Sequence, residues 1–380
     1  MSRPALLVLT PDFPPAVGGI QHLLGELCTR LASEWDVTVI APADAAARAH
    51  DAAIAAAIVR TRAAWGGPGS AAVLAEMGIL AARLRCDVTL AAHLVTLPVA
   101  DAAARLHGRR PVAYLYGSEL WTSWGRAVAR ICAPGVEQAI VISNYTGQEA
   151  RRIGFPAGRM TLARPGASRP ALPPDSTEVL RAHGLVGAAG EPFPYLVTVA
   201  RLAEPHKGHD SFLRCIGPLS ARVPGFRWVV VGEGPLRAQL VRAANAYGVG
   251  EAVVWTGEVD EPTKAALVQH ARAFVMVSRD APEARQFEGY GIAYVEAALL
   301  GVPSIAGRSG GVPDAVIDGV TGILVEPESV EQTLEACLSL LEDAEAARAL
   351  GRSARAYAEH NQTWEPAAAQ VDEALRAVAG

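Results

Sequence analysis

Residues 287–306 read FEGYGIAYVEAALLGVPSIA, and the succession of residue types there decides the architecture. A glycine loop around Gly289-Tyr290-Gly291 leads into IAYVEAALLG, an apolar helical segment, and then into VPSIAG (302–307), a short buried-strand run. Loop, helix and strand in so short a span make one step of a parallel α/β unit. The stretch also sets Glu288 on the glycine loop and Glu296 one to two turns into the helix. Glu296 is either a half-exposed face residue or part of a site. Ligands of open α/β sheets bind at the carboxyl ends of the strands, where this loop lies.

The same alternation extends in both directions. Upstream of the stretch, YLVTVAR (195–201), FRWVVVG (226–232), AVVWTG (252–257) and AFVMVS (273–278) read as further strands of one doubly wound domain. Earlier still, ALLVLT (5–10), DVTVIA (36–41), DVTLAA (87–92), PVAYLY (111–116) and AIVIS (139–143) read as the strands of another. RPGASRPALPPDS (164–176), rich in Pro, Gly and Ser, reads as the linker. The expected domains are 1–170, joined by a C-terminal helix over 362–380 that crosses back, and 177–361. A chain of 380 residues suits two domains of ordinary size.

Composition narrows the function classes. Hydrophobic residues make up 51% and charged residues 19%, which excludes a disordered chain. The apolar run Ala5 to Thr10 is too short for a secretory signal, and no segment reaches membrane-spanning length, so a cytoplasmic location is expected. Five widely spaced cysteines, with no C-x-x-C pair, read as reduced thiols. No Cys, His and carboxylate cluster suggests a metal site. Residues 1–185 hold 18 Arg against 14 Asp and Glu, net +4, and the remainder is net −9. The positive half fits an anionic acceptor or membrane surface, or simply a solvated face. The chain is acidic overall and has no basic stripe interleaved with aromatics, which argues against nucleic acid. Only two of the 34 basic residues are lysines, Lys207 and Lys264. That Arg-rich, Ala-rich composition is of the kind found in actinobacteria and other GC-rich genomes. It makes Lys207 worth examining, whereas Lys264, in EPTKAAL, reads as an exposed helix residue.

Several loops carry candidate chemistry. Gly18 and Gly19 precede an apolar helix, where free N–H groups suit an anion. Arg201 ends a strand and Lys207-Gly208 opens a helix, so two cations converge where a pyrophosphate would sit. GEGPLR (232–237) begins with Gly232 and lacks the third glycine of a dinucleotide fingerprint, which disfavours nicotinamide binding. Glu288 and Glu296, at two depths, suit a ligand with two hydroxylated rings such as a nucleoside diphosphate sugar. His93, Glu119 and Asn144 lie at strand ends or helix heads of the first half, where each either lines an acceptor site or caps its own element.

Taken in order, GGI (18–20), YGSE (116–119), SNYT (143–146), ARL with KG (200–208), GEGP (232–235), E-x7-E (288–296) and GGVP (310–313) resemble the family-4 glycosyltransferases of the GT-B fold. DFPPAVGGIQ and EGYGIAYVEA are most similar to the phosphatidylinositol-mannoside mannosyltransferase branch and its bacterial relatives. The resemblance covers essentially the whole chain. It implies two Rossmann-like domains facing a cleft, and retaining transfer from a nucleoside diphosphate sugar to a hydroxyl of a lipid-linked, glycan or natural-product acceptor. It also implies that no metal or other cofactor is required. Residue by residue, Arg201 and Lys207 would hold the diphosphate as catalytic cations, and Glu288 the donor sugar. Glu296 would hold the ribose, and Gly18, Gly19, Gly232, Gly289, Tyr290, Gly291 and Ile292 would line the donor site. A lipid acceptor would bring peripheral contact with the inner face of the membrane, and a basic apolar patch near Arg105, Arg109 and Arg110. The base, the donor sugar, the acceptor and the oligomeric state are open at this level.

One position departs from the pattern. Relatives carry His-Gly where this chain has Tyr116-Gly117, and the resemblance implies that the histidine contacts the donor near its C6 hydroxyl. Tyr116 in that role would favour a donor altered at C6, such as a 6-deoxy sugar, an acidic sugar or a pentose. The alternative is a neutral replacement. A catalytically altered relative is the competing functional class: a nucleotide-sugar-binding partner subunit, or an epimerase or phosphorylase.

Overall fold

The computed structural model describes residues 3–67 and 69–379. The chain divides into two compact units, Met1–Gly166 with Trp364–Gly380, and Ala167–Thr363.

The first unit is built on a seven-stranded sheet: β1 (Ala5–Leu9), β2 (Asp36–Ala41), β3 (Ala57–Arg60), β4 (Val88–Ala91), β5 (Val112–Leu115), β6 (Gln138–Val141) and β7 (Met160–Leu162). Their order is β3-β2-β1-β4-β5-β6-β7, and every pairing is parallel. β4 and β5 are buried along their whole length, as strands covered on both faces must be. The helix Trp364–Ala379 belongs to this unit and packs on the helix Gly19–Leu31. Trp35 donates from Nε1 to Asp372 at 2.7 Å, and Arg376 pairs with Glu34 at 2.9 Å.

The second unit repeats the plan with six strands: β8 (Tyr195–Val199), β9 (Arg227–Val231), β10 (Val253–Gly257), β11 (Ala273–Met276), β12 (Ser304–Gly307) and β13 (Gly322–Val325). Their order is β10-β9-β8-β11-β12-β13, again all parallel. In each sheet the strand order reverses beside the first strand, with β4 next to β1 and β11 next to β8. In doubly wound sheets that is where ligands enter, at the carboxyl ends. Three strands, β3, β7 and β13, lie outside the runs read from the sequence. All five cysteines are free thiols, and four of them are buried. No helix among the described residues is long and apolar enough to cross a membrane.

Candidate functional site

In the second unit the loops after β8 and β11 meet through charge. After β8 the chain runs past Arg201 into a single 3-10 turn, Pro205–Lys207, which Gly208 ends at φ 75° before the helix His209–Arg222. Glycine is required at 208, because a Cβ there would sit 2.2 Å from the Val277 carbonyl oxygen. The tight approach brings the Lys207 ammonium 2.5 Å from Glu288 Oε2. Both side chains are largely buried. Burial alone would push the Glu288 carboxyl up, but Lys207, His206 and the Tyr290 N–H outweigh it and hold the carboxyl below the usual range. His206, itself buried, places Nδ1 3.3 Å from Gln286, and Glu204 lies 3.9 Å from Lys207. Arg201 remains outward, its side chain 71% exposed and paired with Glu204 at 2.7 Å.

The Glu288 backbone is fixed as firmly as its carboxylate. Its carbonyl accepts the Gly311 N–H at 2.7 Å, and the neighbouring Gly310 adopts φ 55° in contact with it. Gly289 and Gly291 flank Tyr290, and Gly291, at φ 98°, precedes the helix Ile292–Leu299. Ile292 and Gly289 are half-buried at this helix head. Tyr290 itself departs from the expected donor-lining role, because its ring is in the core and its hydroxyl accepts from Gln362 at 3.3 Å. Gly232 curls over β8 at φ 133°, and a Cβ there would meet the Ala200 carbonyl oxygen at 2.2 Å.

Glu296 brings the second correction. Lys264, read from the sequence as an exposed residue, lies against it at 3.4 Å, and Glu261 holds the same ammonium at 2.6 Å. The Lys264 side chain is only 16% exposed. Burial lowers its affinity for a proton, but the carboxylates of Glu296 and Glu261 more than compensate and the ammonium is held above its usual range. The two lysines of the chain thus lie on the two glutamates of the E-x7-E pair, Lys207 on Glu288 and Lys264 on Glu296. The only clue to Lys264 in the sequence was the rarity of lysine.

In the first unit, Gly18 is extended and Gly19 opens the 13-residue helix Gly19–Leu31, which has no side-chain cap and no acid in its first turn. A Cβ at Gly19 would meet nothing within 4 Å, so the fold itself does not demand glycine there. At the ends of β1 and β4, Asp12 and His93 come within 4.0 Å. Gln21 donates to Asp12 at 2.9 Å, and burial pushes the Asp12 carboxyl up. His93 accepts the Val95 N–H at its Nδ1, stacks on Trp124, and is pushed by burial down to about 4, so it is neutral at physiological pH. Asp12 was not singled out from the sequence, although it begins the DFPPAVGGIQ stretch.

Two residues of YGSE turn inward instead of lining a site. Tyr116 is buried against Tyr114, and its hydroxyl donates to the Ala92 carbonyl at 3.1 Å. That leaves its side chain no donor-contacting role in this structure, contrary to expectation. We expect Tyr116→Phe to lower stability by about 1 kcal/mol, the usual worth of one hydrogen bond, and to leave the Michaelis constant for donor unchanged. A raised constant at unchanged melting temperature would reinstate the contact. Glu119, the acceptor-side candidate, accepts the N–H groups of Tyr116 at 2.6 Å and Gly117 at 2.8 Å. Burial pushes its carboxyl up, even though those N–H groups oppose the shift. It braces its own loop. Asn144 is exposed at the head of the helix Asn144–Arg152, after the Ser143 cap. The expected basic patch is also neutralised. Arg105 pairs with Asp101 at 2.8 Å, Arg109 with Asp87 at 3.4 Å and Arg110 with Glu137 at 3.7 Å.

Comparison with known proteins matches both units. Residues 17–168 match the model of Glycosyltransferase Family 4, and residues 187–357 that of Glycosyl transferases group 1. The GDP-mannose-dependent alpha-(1-6)-phosphatidylinositol monomannoside mannosyltransferase of Mycobacterium tuberculosis is 33% identical, over 99% of this chain and 98% of its own length. Its counterpart in Mycolicibacterium smegmatis is 31% identical over 97% and 98%. Among solved structures, Anabaena HepE in complex with UDP and glucose superposes with a TM-score of 0.79 at 18% identity, covering 99% of this chain and 100% of that one. Sucrose-phosphate synthase from Thermosynechococcus elongatus gives 0.80 at 19%, covering 99% of each.

Proposed function

This chain belongs to the family-4 glycosyltransferases of the GT-B fold, enzymes that use nucleotide sugars, and from that premise we propose that it transfers mannose from GDP-mannose to a hydroxyl of a lipid-linked polyol with retention of configuration. The observation that carries the donor site is the pairing of both lysines with both glutamates in the second unit, and the relatives support GDP-mannose as the donor. Transfer builds negative charge on the leaving diphosphate and positive charge on the sugar. In this reading Lys207 exchanges Glu288 for a phosphate oxygen, and Arg201 swings from Glu204 to another. The freed Glu288 carboxylate then accepts from sugar hydroxyls, and Glu296 accepts from the ribose. Fixed cations at the leaving group act where charge develops, which is the most effective place for them. The acceptor hydroxyl attacks from the face the diphosphate leaves, with a phosphate oxygen taking its proton. The cations being side chains, the reaction proceeds without added metal.

The lipid-linked acceptor is supported by the relatives' specificity and by the helix Ser123–Cys132. Trp124, Ala127 and Ile131 form an exposed apolar stripe there, with Ile131 78% exposed. Arg126 and Arg130 stand beside the stripe, and neither has an acidic partner among the described residues. Such a helix suits an anionic lipid surface, and its Trp124 end stacks on His93. The test is incubation of the protein with GDP-mannose and vesicles of phosphatidylinositol or its monomannoside, with and without EDTA. We expect an α-linked mannolipid in both conditions. Absence of product from either lipid, with transfer to a soluble glycan, would overturn the acceptor; loss of product in EDTA would overturn metal independence.

A further inference from the structure

We propose that Lys264 is a positioning residue for recognition of the donor's ribose, a proposal that rests on the donor site described above. Glu296 sits in the second turn of the helix Ile292–Leu299 and is about one quarter exposed. Its side-chain hydrogen bonding among the described residues consists of one contact, from Lys264 Nζ to Oε2 at 3.4 Å. Oε1 is left to accept. A carboxylate on a helix side chain has three soft torsions, and ordering it costs rotamer freedom. Lys264 meets part of that cost before ligand arrives.

The anchoring of Lys264 makes it a suitable clamp. It lies in the first turn of the helix Glu261–Gln269, which Asp260 caps by accepting the Thr263 N–H at 2.8 Å. Pro262 stiffens the same turn. Glu261 holds the ammonium from the solvent side, its own side chain 75% exposed, while the lysine stem is buried. The ammonium is therefore fixed between two carboxylates on different helices. Glu261 is largely exposed, and Glu296 is mostly buried. Thirty-two of its 34 basic residues are arginines, yet the two positions that touch the glutamate pair carry the smaller, single-point cation.

The experiment is calorimetric titration of GDP and 2′-deoxy-GDP, with UDP and 2′-deoxy-UDP alongside, into wild type, Lys264→Met, Lys264→Arg and Glu296→Gln. Wild type is expected to prefer the ribonucleotide of its own base by about tenfold or more, the worth of a hydrogen bond to a charged group. Lys264→Met and Glu296→Gln should each collapse that ratio to within about threefold, mainly by weakening the ribonucleotide. Lys264→Arg should recover most of it. The ratio is taken within one protein, so a variant that is partly unfolded still reports it. A wild-type ratio in Lys264→Met would overturn the proposal and make the lysine a tie between helices. Equal binding of ribo and deoxy forms by wild type, or binding of neither, would overturn the assignment of Glu296 to ribose and this inference with it.

Discussion

Replacing Lys207 by methionine is expected to cut sugar transfer about 10²–10³-fold, the loss seen when one preorganised group at a developing negative charge is removed. The same change should destabilise the unliganded protein by about 3–5 kcal/mol, because it leaves Glu288 buried without its cation. The two effects separate by pH and by a second substitution. In wild type the Glu288 carboxyl is held below its usual value of 4.5, so the pair's stabilisation is present above that value and is lost as pH falls through the lowered one. The difference in melting temperature between wild type and Lys207→Met should therefore be large at pH 7 and shrink below about pH 4.5. Adding Glu288→Met to Lys207→Met should restore stability without restoring transfer. If the double variant regained activity, the cation would have no role at the leaving group.

Gly310→Ala carries the second large effect. Its backbone is left-handed at φ 55°, and a Cβ would lie 2.5 Å from the Glu288 carbonyl oxygen and 3.3 Å from its nitrogen. The left-handed conformation alone costs an L side chain about 1–2 kcal/mol. The clash must also displace the backbone that aims Glu288, so turnover should fall about 10²-fold, the penalty for roughly an ångström of misplacement. Gly319→Ala is the matched control: φ is 72°, but a Cβ there meets nothing within 4 Å. It should show the conformational cost in its melting temperature and keep wild-type turnover. Equal turnover in the two variants would show that the position of Glu288 does not govern the reaction.

These contrasts mark where sequence reasoning reached and where it stopped. The strands with β-branched cores, such as β8 and β9, announce themselves through local pattern. β3 does not, because AIVR follows an alanine run with no alternation to betray a strand. β7 has three residues, and its pairing depends on β6 beside it. The candidate site was legible wherever chemistry and backbone geometry are both local, as at Lys207-Gly208 and at Glu288 among its glycines. It failed where direction depends on distant packing. Nothing near Lys264 in the chain shows that a helix 30 residues later will cover it. Nothing in YGSE shows that Tyr116 will reach Ala92, or that Glu119 will fold back on its own loop.

The scarcity of lysine also gives the protein a built-in reporter. Acylating reagents that modify ε-amino groups find only two targets along these 380 residues, and both stand on the carboxylates assigned to the donor. The extent of modification at each, read by mass spectrometry, becomes a titration of donor occupancy that needs no acceptor, no radiolabel and no engineered tag. By the same logic, acetylation of the Lys207 amine would remove the charge proposed for the leaving diphosphate. Arginine, which bears almost all the positive charge elsewhere in the chain, is immune to that chemistry.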